Sequence, residues 1–526
     1  MVAEALKLVQ EEGERLGLKL KLSKCELILT TGEPSAGLSA LFPQDLLFDE
    51  RGQDRVLRDG NFEFLGAPIG SADFCAKITE QRVEEAATTI TAICTHGDPQ
   101  IGLRLLWTCG SFCKLVYSTR VVAPHAQIAE LQNFDALVRQ TFSDLTGLHP
   151  DDATWDQATR GFDSAGLGLR STADHGVGAY LASRAASRDR CKKIDDHFVW
   201  DFDDPGSSLA RAYAALGNVL GPAHTITPDS LLHYRQKTIS AMIDKSKFER
   251  QFAAASVSQR ANLNSETLPG ASGFLSAIPS KTLGLAMEPA VFVTEIQSRL
   301  WLPLYPRDQY CPCCDAVLDT HGNHARLCMA AGDVVACHNA VRNKTGRFCA
   351  SAGHAPSLER PGLLPPRPDD PSNSNLRRPA DVFLPAWTHG SPAALDFAIV
   401  SPQRQDVLAQ SAERAGAAAS AYEAFKRRRL NTAEECAQQG VEFIPLVAES
   451  SCGWGFHSLN TIWRIAKSAA EKNAGDADLT LGQFLQSLCI TIRSAKARAV
   501  LRRAGHAHDL LTSAVESAAV ALASTA

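Results

Sequence analysis

The sequence lacks a long apolar run, and its first segment is not typical of a cleavable leader. No apolar stretch approaches the roughly 20 residues that a membrane-spanning helix needs. The first segment contains Glu4, Glu11, Glu12 and Glu14 and has no apolar core before a cleavage site, which excludes a secretory signal and an acid-poor transit peptide. We therefore expect a chain that acts inside the cell and does not associate with a membrane.

The sequence also lacks an excess of charge of either sign. It has 53 basic and 58 acidic residues, a formal net charge of −5, so the total does not indicate a nucleic-acid binder, although a total can hide local basic stripes. Gly and Pro number 36 and 26; this near-average usage excludes collagen-like and wholly disordered chains. A length of 526 residues, 45% of them hydrophobic, predicts about three to four domains.

Cysteines are spread thinly except in one cluster. Isolated cysteines in the N-terminal part are typical of buried thiols in a reducing compartment. Cys311 and Cys314 are followed by His324 and Cys328, and this C-x2-C…H-x3-C arrangement has the ligand types and spacing of tetrahedral Zn²⁺. Four protein ligands fill the coordination shell, so the sequence predicts a structural zinc.

Two other residues of this cluster could replace a chosen ligand. Cys313 lies between the two assigned cysteines, and His321 precedes His324 by three residues. The interpretation without a metal is a set of free buried thiols beside a surface histidine.

Two strand-like segments downstream each carry an aspartate. Asp381 lies in 378–384 and Asp396 in 394–400, with a turn predicted over Pro385–Pro392. A hairpin would bring the two carboxylates together as oxygen ligands for Mg²⁺. The helix predicted over 415–429 ends with Arg427, Arg428 and Arg429, which can neutralise phosphate. The simpler interpretation is an α/β domain whose strand acids face solvent.

Several N-terminal strings together have the order and spacing of one family. Residues 17–26, which include Lys24, and the following hairpin-like 62–70 are similar to the end of a polymerase palm and its primer-gripping hairpin. Residues 104–106, 117–120, 166–171 and 179–183 are similar to the thumb that follows it. This part of the chain resembles the reverse transcriptases of non-LTR retrotransposons, and the resemblance implies contact of Lys24 with nucleic acid.

The C-terminal part resembles the zinc knuckle and restriction-like PD-(D/E)xK endonuclease of such retrotransposons. The zinc cluster is followed by His338-Asn339, which the resemblance assigns to nucleic-acid binding. It further implies Mg²⁺ on Asp381 and Asp396, with Lys426 positioning the attacking water. Two further acids are candidates in the same pattern: Glu359, ahead of the first strand, and Glu449, at the end of a third strand.

Three residues depart from that family's pattern. Cys337 stands where a basic residue usually precedes the His-Asn pair, and Ala398 stands where the lysine usually follows the second acid. Ala380 separates Pro379 from Asp381, a pair that is adjacent in the family. The fold and the activity are therefore separate predictions.

The resemblance implies a multidomain α+β chain. We expect a reverse-transcriptase palm remnant over 1–90, a helical thumb over 91–200, a connector over 201–300, a zinc knuckle over 301–345, a restriction-endonuclease-like α/β domain over 346–465 and a basic helical tail over 466–526. The basic stripe of the tail (Arg493, Lys496, Arg498, Arg502 and Arg503) is expected to be a solvated face that could touch phosphate.

The expected function is metal-dependent nicking of target DNA in the nucleus. Target DNA and the RNA of the element would be its partners, with structural Zn²⁺ and catalytic Mg²⁺ as cofactors. The alternative is a non-catalytic remnant that binds nucleic acid. The balanced charge of the whole chain favours that alternative slightly.

The chain is expected to extend no primer. Polymerisation needs paired aspartates that hold two Mg²⁺ ions, which in the resembled family precede the helix that opens this chain, and residues 1–24 contain no Asp. With a primed RNA template and deoxynucleotides, the protein should give no elongated product, while a reverse transcriptase with intact acids extends the same primer. Mg²⁺-dependent extension by the chain would contradict this assignment.

Overall fold

The fold is mixed α+β and divides into two compact units. A computed structural model describes residues 2–29, 37–57, 59–222, 226–366, 377–388 and 390–523, with backbone alone for 388 and 506–523. About 59% of it is helical. Unit 1 comprises Met1–Thr89, Phe112–Leu137 and Ser171–Ile243, and unit 2 comprises Ile90–Ser111, Val138–Arg170 and Asp244–Ala526. Among the described residues, no helix is both long and apolar enough to cross a membrane.

The helices and strands follow one another in this order. Those before residue 200 are α1 (Val2–Arg15), α2 (Leu38–Leu41), α3 (Gln44–Leu47), β1 (Phe62–Phe64), β2 (Ala67–Ile69), α4 (Ala72–Cys94), α5 (Pro99–Leu105), α6 (Val116–Val121), α7 (Ile128–Thr146), α8 (Asp152–Thr159) and α9 (Thr172–Ile194). Between 200 and 300 lie α10 (Ser208–Leu220), α11 (Pro228–Leu231), α12 (Gln236–Ala254), α13 (Val257–Glu266), α14 (Gly273–Ser276) and α15 (Pro289–Arg299). The remainder are β3 (Gln309–Tyr310), β4 (Val317–Leu318), α16 (Asn323–Leu327), α17 (Asp333–Ser351), β5 (Ser357–Leu358), β6 (Val382–Thr388), β7 (Ser391–Val400), α18 (Leu408–Glu413), α19 (Ala417–Arg428), α20 (Thr432–Gln438), β8 (Glu442–Glu449), α21 (Phe456–Lys472) and α22 (Ala477–Ala523).

The described part of unit 1 is largely helical and contains one small hairpin. Strands β1 and β2 pair antiparallel over Phe62–Ile69. Asp135 on α7 caps helix α9, because its carboxylate accepts from the backbone N–H groups of Thr172 and Ala173 at 2.7 and 3.1 Å. These N–H groups belong to the first turn, where a helix has no internal acceptors for them. The cap fixes the angle at which α9 leaves the loop before it.

The alternating leucines of residues 18–22 do not form the strand that their pattern suggests. The segment runs without regular structure into a 3₁₀ turn at Leu22–Lys24, which leaves Lys24 exposed. A strand needs a hydrogen-bonded neighbour, and none of the described residues pairs with this segment as a strand. Alternation of apolar residues alone therefore does not make this segment a strand.

Unit 2 contains a four-stranded sheet of order β5-β6-β7-β8. Strand β6 pairs antiparallel with both β5 and β7, whereas β8 is parallel to β7. The turn predicted over Pro385–Pro392 is shorter than expected, since β6 continues to Thr388 and β7 begins at Ser391. The register of the pair shifts between Leu384 and Thr388, and such an irregularity accommodates a proline within a strand.

Helix α22 packs against α14, α15, α16, α17 and α21. Its Arg493 is fully buried and donates to Glu266 Oε2 at 2.6 Å and to Glu295 Oε2 at 2.8 Å. Arg299 pairs with the same Glu266 at 2.6 Å, and Arg326 pairs with Glu295 at 2.7 Å. These five residues form a continuous buried ion chain that joins α13, α15, α16 and α22.

The expectation of a solvated basic stripe on the tail is wrong for three of its five residues. Arg493, Lys496 and Arg503 are buried, whereas Arg498 and Arg502 are exposed. Lys496 donates to the Arg326 carbonyl at 2.6 Å, and Arg503 pairs with Asp333 at 2.9 Å. The charge pattern of α22 could not reveal this, because its partners lie some 170 residues or more away in sequence.

Replacing Arg493 with Met should destabilise the protein by about 3–5 kcal/mol, because Glu266 and Glu295 would lose a buried counter-charge. The matched control is Arg498→Met on the same helix, whose partner Glu288 is exposed, and its effect should stay below about 1 kcal/mol. Urea denaturation followed by circular dichroism measures both. Equal losses of unfolding free energy in the two variants would show that the buried ion pairs contribute no more to stability than the exposed pair does.

Candidate functional site

Four side chains of unit 2 form a Cys₃His group that can bind a metal such as zinc. The ligand atoms of Cys311, Cys314, His324 and Cys328 all lie within 4.8 Å of one another. Cys314 Sγ is 3.2 Å from His324 Nε2, and the Sγ atoms of Cys311 and Cys328 are 4.0 Å apart. Tetrahedral Zn–S bonds of about 2.3 Å separate two sulfurs by about 3.8 Å, so the spacing fits this metal.

A small hairpin and a short helix position the four ligands. Strands β3 and β4 pair antiparallel, and Cys311 and Cys314 lie in the turn between them. Gly322 begins α16 with φ +69°, and a Cβ there would come within 3.0 Å of Leu304 Cδ1. Asp319 accepts from the backbone N–H of His324 at 2.8 Å, which orients the first turn of α16 and, with it, the last two ligands.

The surroundings of the group favour the thiolate form of cysteine. Burial acts to raise the pKa of Cys311, but hydrogen bonds from the Cys313 backbone N–H, His324 and Arg503 lower that pKa to about 6. The thiolate is the form that binds a metal. Arg503 also lies against Cys328. This role could not be predicted from local spacing, because Arg503 lies on the distant helix α22.

Neither of the alternative ligands belongs to the convergent group. Cys313 is exposed. The His321 ring stacks on Trp301, with 4.2 Å between ring centroids and an angle of 15° between the planes. Among the described residues, the geometry therefore favours the four ligands first assigned.

Two aspartates meet where β6 and β7 pair. The register pairs Val382 with Leu395, so Asp381 lies across from Asp396 if the register is extended by one residue. The Asp381 N–H donates to the Leu395 carbonyl at 2.9 Å, and Asp381 Oδ2 accepts from the Phe397 N–H at 2.6 Å. The two aspartate side chains are 15% and 17% exposed, which leaves both accessible from one side.

Two basic side chains reach these aspartates from neighbouring helices. Lys426 on α19 has its Nζ 2.8 Å from Asp396 Oδ2, and His338 on α17 has its Nε2 3.1 Å from Asp381 Oδ2. Tyr422, one turn before Lys426, has its ring centroid 6.0 Å from the ammonium. The residues of the described chain give no hydrogen bond to the Oδ1 atom of either aspartate.

The two carboxylates influence each other's charge. Burial raises the pKa of Asp396 to about 6; Lys426 opposes the rise and the charge of Asp381 adds to it. Burial also acts to raise the pKa of Asp381, but the hydrogen bond from His338 holds it below its usual value. That hydrogen bond in turn raises the pKa of His338. Repulsion between neighbouring carboxylates is the situation that a bound cation relieves.

Glu359 lies in the same cross-strand row as the aspartates. Leu358 pairs with Val382, and the Glu359 N–H donates to the Asp381 carbonyl at 3.0 Å. The Glu359 carboxylate pairs with Arg342 on α17 and with Arg378 at 3.1 Å. Its catalytic role stays a prediction. Arg342 was not among the predicted site residues, although its position one turn after His338 was the available signal.

The remaining candidates lie apart from the aspartates or at the surface. Glu449 is buried at the end of β8 and pairs in register with Val400, which is four residues, or about 13 Å, beyond Asp396 along the strand. Asn339 is half-buried beside His338. Three consecutive arginines at the end of α19 are exposed: Arg427, Arg428 and Arg429. Their contacts with nucleic acid, and that of Lys24, stay predictions.

The purified protein should contain one tightly bound zinc per chain. Cys311→Ser should lose most of that zinc, because one of four ligands is removed from the shell. Cys313→Ser is the matched control, since it removes an exposed thiol two residues away and should leave zinc content unchanged. Elemental analysis of protein prepared without chelator measures both. Full zinc in Cys311→Ser would remove this residue from the site.

No model of a known protein family matches the chain, and no curated protein matches it either. Its function therefore has to be inferred from the Cys₃His group and the aspartate pair, both of which belong to unit 2.

Proposed function

We propose that unit 2 is a divalent-metal-dependent DNA endonuclease, as expected for a protein of the non-LTR retrotransposon type with a restriction-like nuclease domain. The observation that carries the proposal is the meeting of Asp381, Asp396 and Lys426, which come from two paired strands and a helix. Two carboxylates with an ammonium beside them are the minimal set for hydrolysing a phosphodiester with the help of a metal.

Asp381 and Asp396 are the residues that would hold Mg²⁺. Hard oxygen ligands suit this ion, and one oxygen of each carboxylate accepts no hydrogen bond from the described residues. Bound there, Mg²⁺ supplies positive charge that polarises the scissile phosphate and makes water a better nucleophile.

The protein's own residues have separate roles in this proposal. Lys426 orients the attacking water and stabilises the negative charge that develops on the phosphate. His338 holds Asp381 through its hydrogen bond of 3.1 Å, which fixes the carboxylate before DNA arrives. The arginines that follow Lys426 bind the DNA backbone and add affinity without sequence preference.

The departure at Ala398 has a structural explanation within this proposal. Ala398 is buried in a cluster with Ala418 and Ala419 of α19, and Tyr422 packs against the same cluster. Small side chains let the helix approach the sheet closely, and Lys426 then reaches Asp396 from α19. A lysine at position 398 would occupy the space that the helix uses.

A second candidate function is nucleic-acid binding without cleavage. The acids of the site are all paired with cations of the protein: Asp396 with Lys426, Asp381 with His338, and Glu359 with Arg342 and Arg378. Such pairing also suits a site that no longer takes a metal. Target DNA and element RNA are the proposed partners in either case, which would place the protein in the nucleus.

The protein should nick supercoiled plasmid DNA in Mg²⁺ and not in its absence. Asp381→Asn and Asp396→Asn keep the side-chain shape and should each abolish nicking, because the metal loses a charged ligand. Lys426→Ala should slow nicking by about a hundredfold, with DNA binding nearly intact. Glu442→Ala, an exposed acid at the start of β8, is the control and should nick as the wild type does.

Two outcomes would separate the candidates. Nicking that survives both aspartate substitutions would exclude these residues as the metal site. An inactive wild type that still binds DNA, with affinity falling steeply as salt rises, would favour the non-catalytic function. Zinc analysis of the same preparation shows whether an inactive sample has retained its metal.

A further inference from the structure

Helix α21 in unit 2 presents an aromatic and basic face away from the core. Its buried face includes Thr461, Ile462, Ile465, Ala466 and Ala469. Asn460, Trp463, Arg464 and Lys467 follow one another at helical spacing on the other side and line an open cavity of about 400 Å³. Trp463 is 38% exposed, which is unusual for so large an apolar side chain.

The end of strand β6 forms the opposite wall of this cavity. Trp387 lies under the guanidinium of Arg464, 4.5 Å from ring centroid to Cζ, and the ring of His354 lies 5.4 Å from it. Two buried polar atoms here, Trp387 Nε1 and His354 Nε2, have no hydrogen-bond partner among the described residues. His354 Nδ1 donates to the Ala386 carbonyl at 3.3 Å, which leaves Nε2 of the neutral ring as an acceptor. Buried polar groups normally have partners, so a ligand with an acceptor for the Trp387 N–H and a donor for His354 would complete the wall.

We call this cavity, lined by Asn460, Trp463, Arg464 and Lys467 and by Trp387 and His354 opposite, the Trp463 groove. Its two cations lie beside its aromatic rings. Lys467 Nζ lies 5.6 Å from the Trp463 ring centroid, and Arg464 is stacked on Trp387. Lys467 is also 3.9 Å from Glu471, but both side chains are more than half exposed, and such a pair contributes little. The groove therefore combines an accessible aromatic face with two positive charges at fixed places.

We propose that the Trp463 groove binds single-stranded nucleic acid, with one base stacked on Trp463 and the neighbouring phosphates on Arg464 and Lys467. An aromatic face beside cations is the arrangement that binds unpaired strands with little sequence preference. The volume suits one nucleotide. Duplex DNA fits less well, because its bases are stacked on each other and offer no free face to Trp463.

This binding site is separate from the aspartate pair and does not depend on cleavage. Trp387 lies six positions after Asp381, a distance on the order of 20 Å along an extended strand. The ligand is defined by base and phosphate, so an unpaired DNA strand and an unpaired RNA strand are both sources of it.

The test measures fluorescence anisotropy of a labelled ten-residue oligothymidylate and the matching oligouridylate with the full chain, without Mg²⁺, so that cleavage does not enter. Trp463→Ala should weaken binding of the preferred oligonucleotide about tenfold, since a stacked base is lost, whereas Trp463→Phe should retain most of the affinity. The loss should be smaller for a duplex of the same length. The oligonucleotide that binds more tightly identifies the source.

Charge is tested by the double variant Arg464→Gln/Lys467→Gln. Its slope of log affinity against log salt should become shallower by about 1.4, or 0.7 for each of two phosphate contacts on a single strand. Lys192→Gln/Lys193→Gln removes two exposed charges from unit 1 and should leave the slope unchanged.

The proposal fails if the wild type binds neither oligonucleotide, or if Trp463→Ala binds as tightly as Trp463→Phe. It also fails if the two double variants change the salt slope equally. Loss of nicking in the aspartate variants with intact oligonucleotide binding would leave this proposal standing, so the two proposals can fail independently.

Discussion

A buried guanidinium needs carboxylates around it. The buried Arg493 on α22 therefore constrains the packing of most of unit 2. Its two acids come from α13 and α15, and each acid holds a further arginine. This series of buried ion pairs ends at Arg326 on α16, which lies in the sequence between the last two ligands of the Cys₃His group. Breaking a buried pair leaves an uncompensated charge. The four helices that carry these residues, α13, α15, α16 and α22, therefore have to keep fixed positions relative to one another. This requirement links the metal centre to the helical core.

Helix α22, which carries Arg493, also supports the position of the aspartate pair. Helix α22 packs against α17, and Arg503 pairs with Asp333 at the first residue of α17. Helix α17 in turn carries His338 and Arg342, which contact Asp381 and Glu359. The geometry of the acids thus depends on a helix that contributes no side chain to them.

Local sequence patterns predicted the features that depend on contacts between residues close together in the chain. The Cys₃His group lies within 18 residues, and the pairing of Asp381 with Asp396 follows from one hairpin, so spacing was sufficient for both. The position of Lys426 beside Asp396 depends on how α19 packs on the sheet. Its assignment came from the resemblance to a family and not from spacing. The segment 201–300 was expected only as a connector. Its helices were not predicted because their buried faces contain polar residues such as Ser265 and Glu266, whose partners lie far away in sequence.

The position of α22 in the chain has a consequence for biosynthesis. Glu295 and Glu266 precede Arg493 by 198 and 227 residues. At about 5–20 residues per second, a ribosome needs on the order of 10–45 seconds to deliver the arginine after the acids have been made. During that interval Glu266 and Glu295 have Arg299 and Arg326 as counter-charges, but they lack the shared arginine that joins α13 and α15 to α22. The packing of α13 and α15 against α22 is therefore completed late in translation, after most of unit 2 has been made.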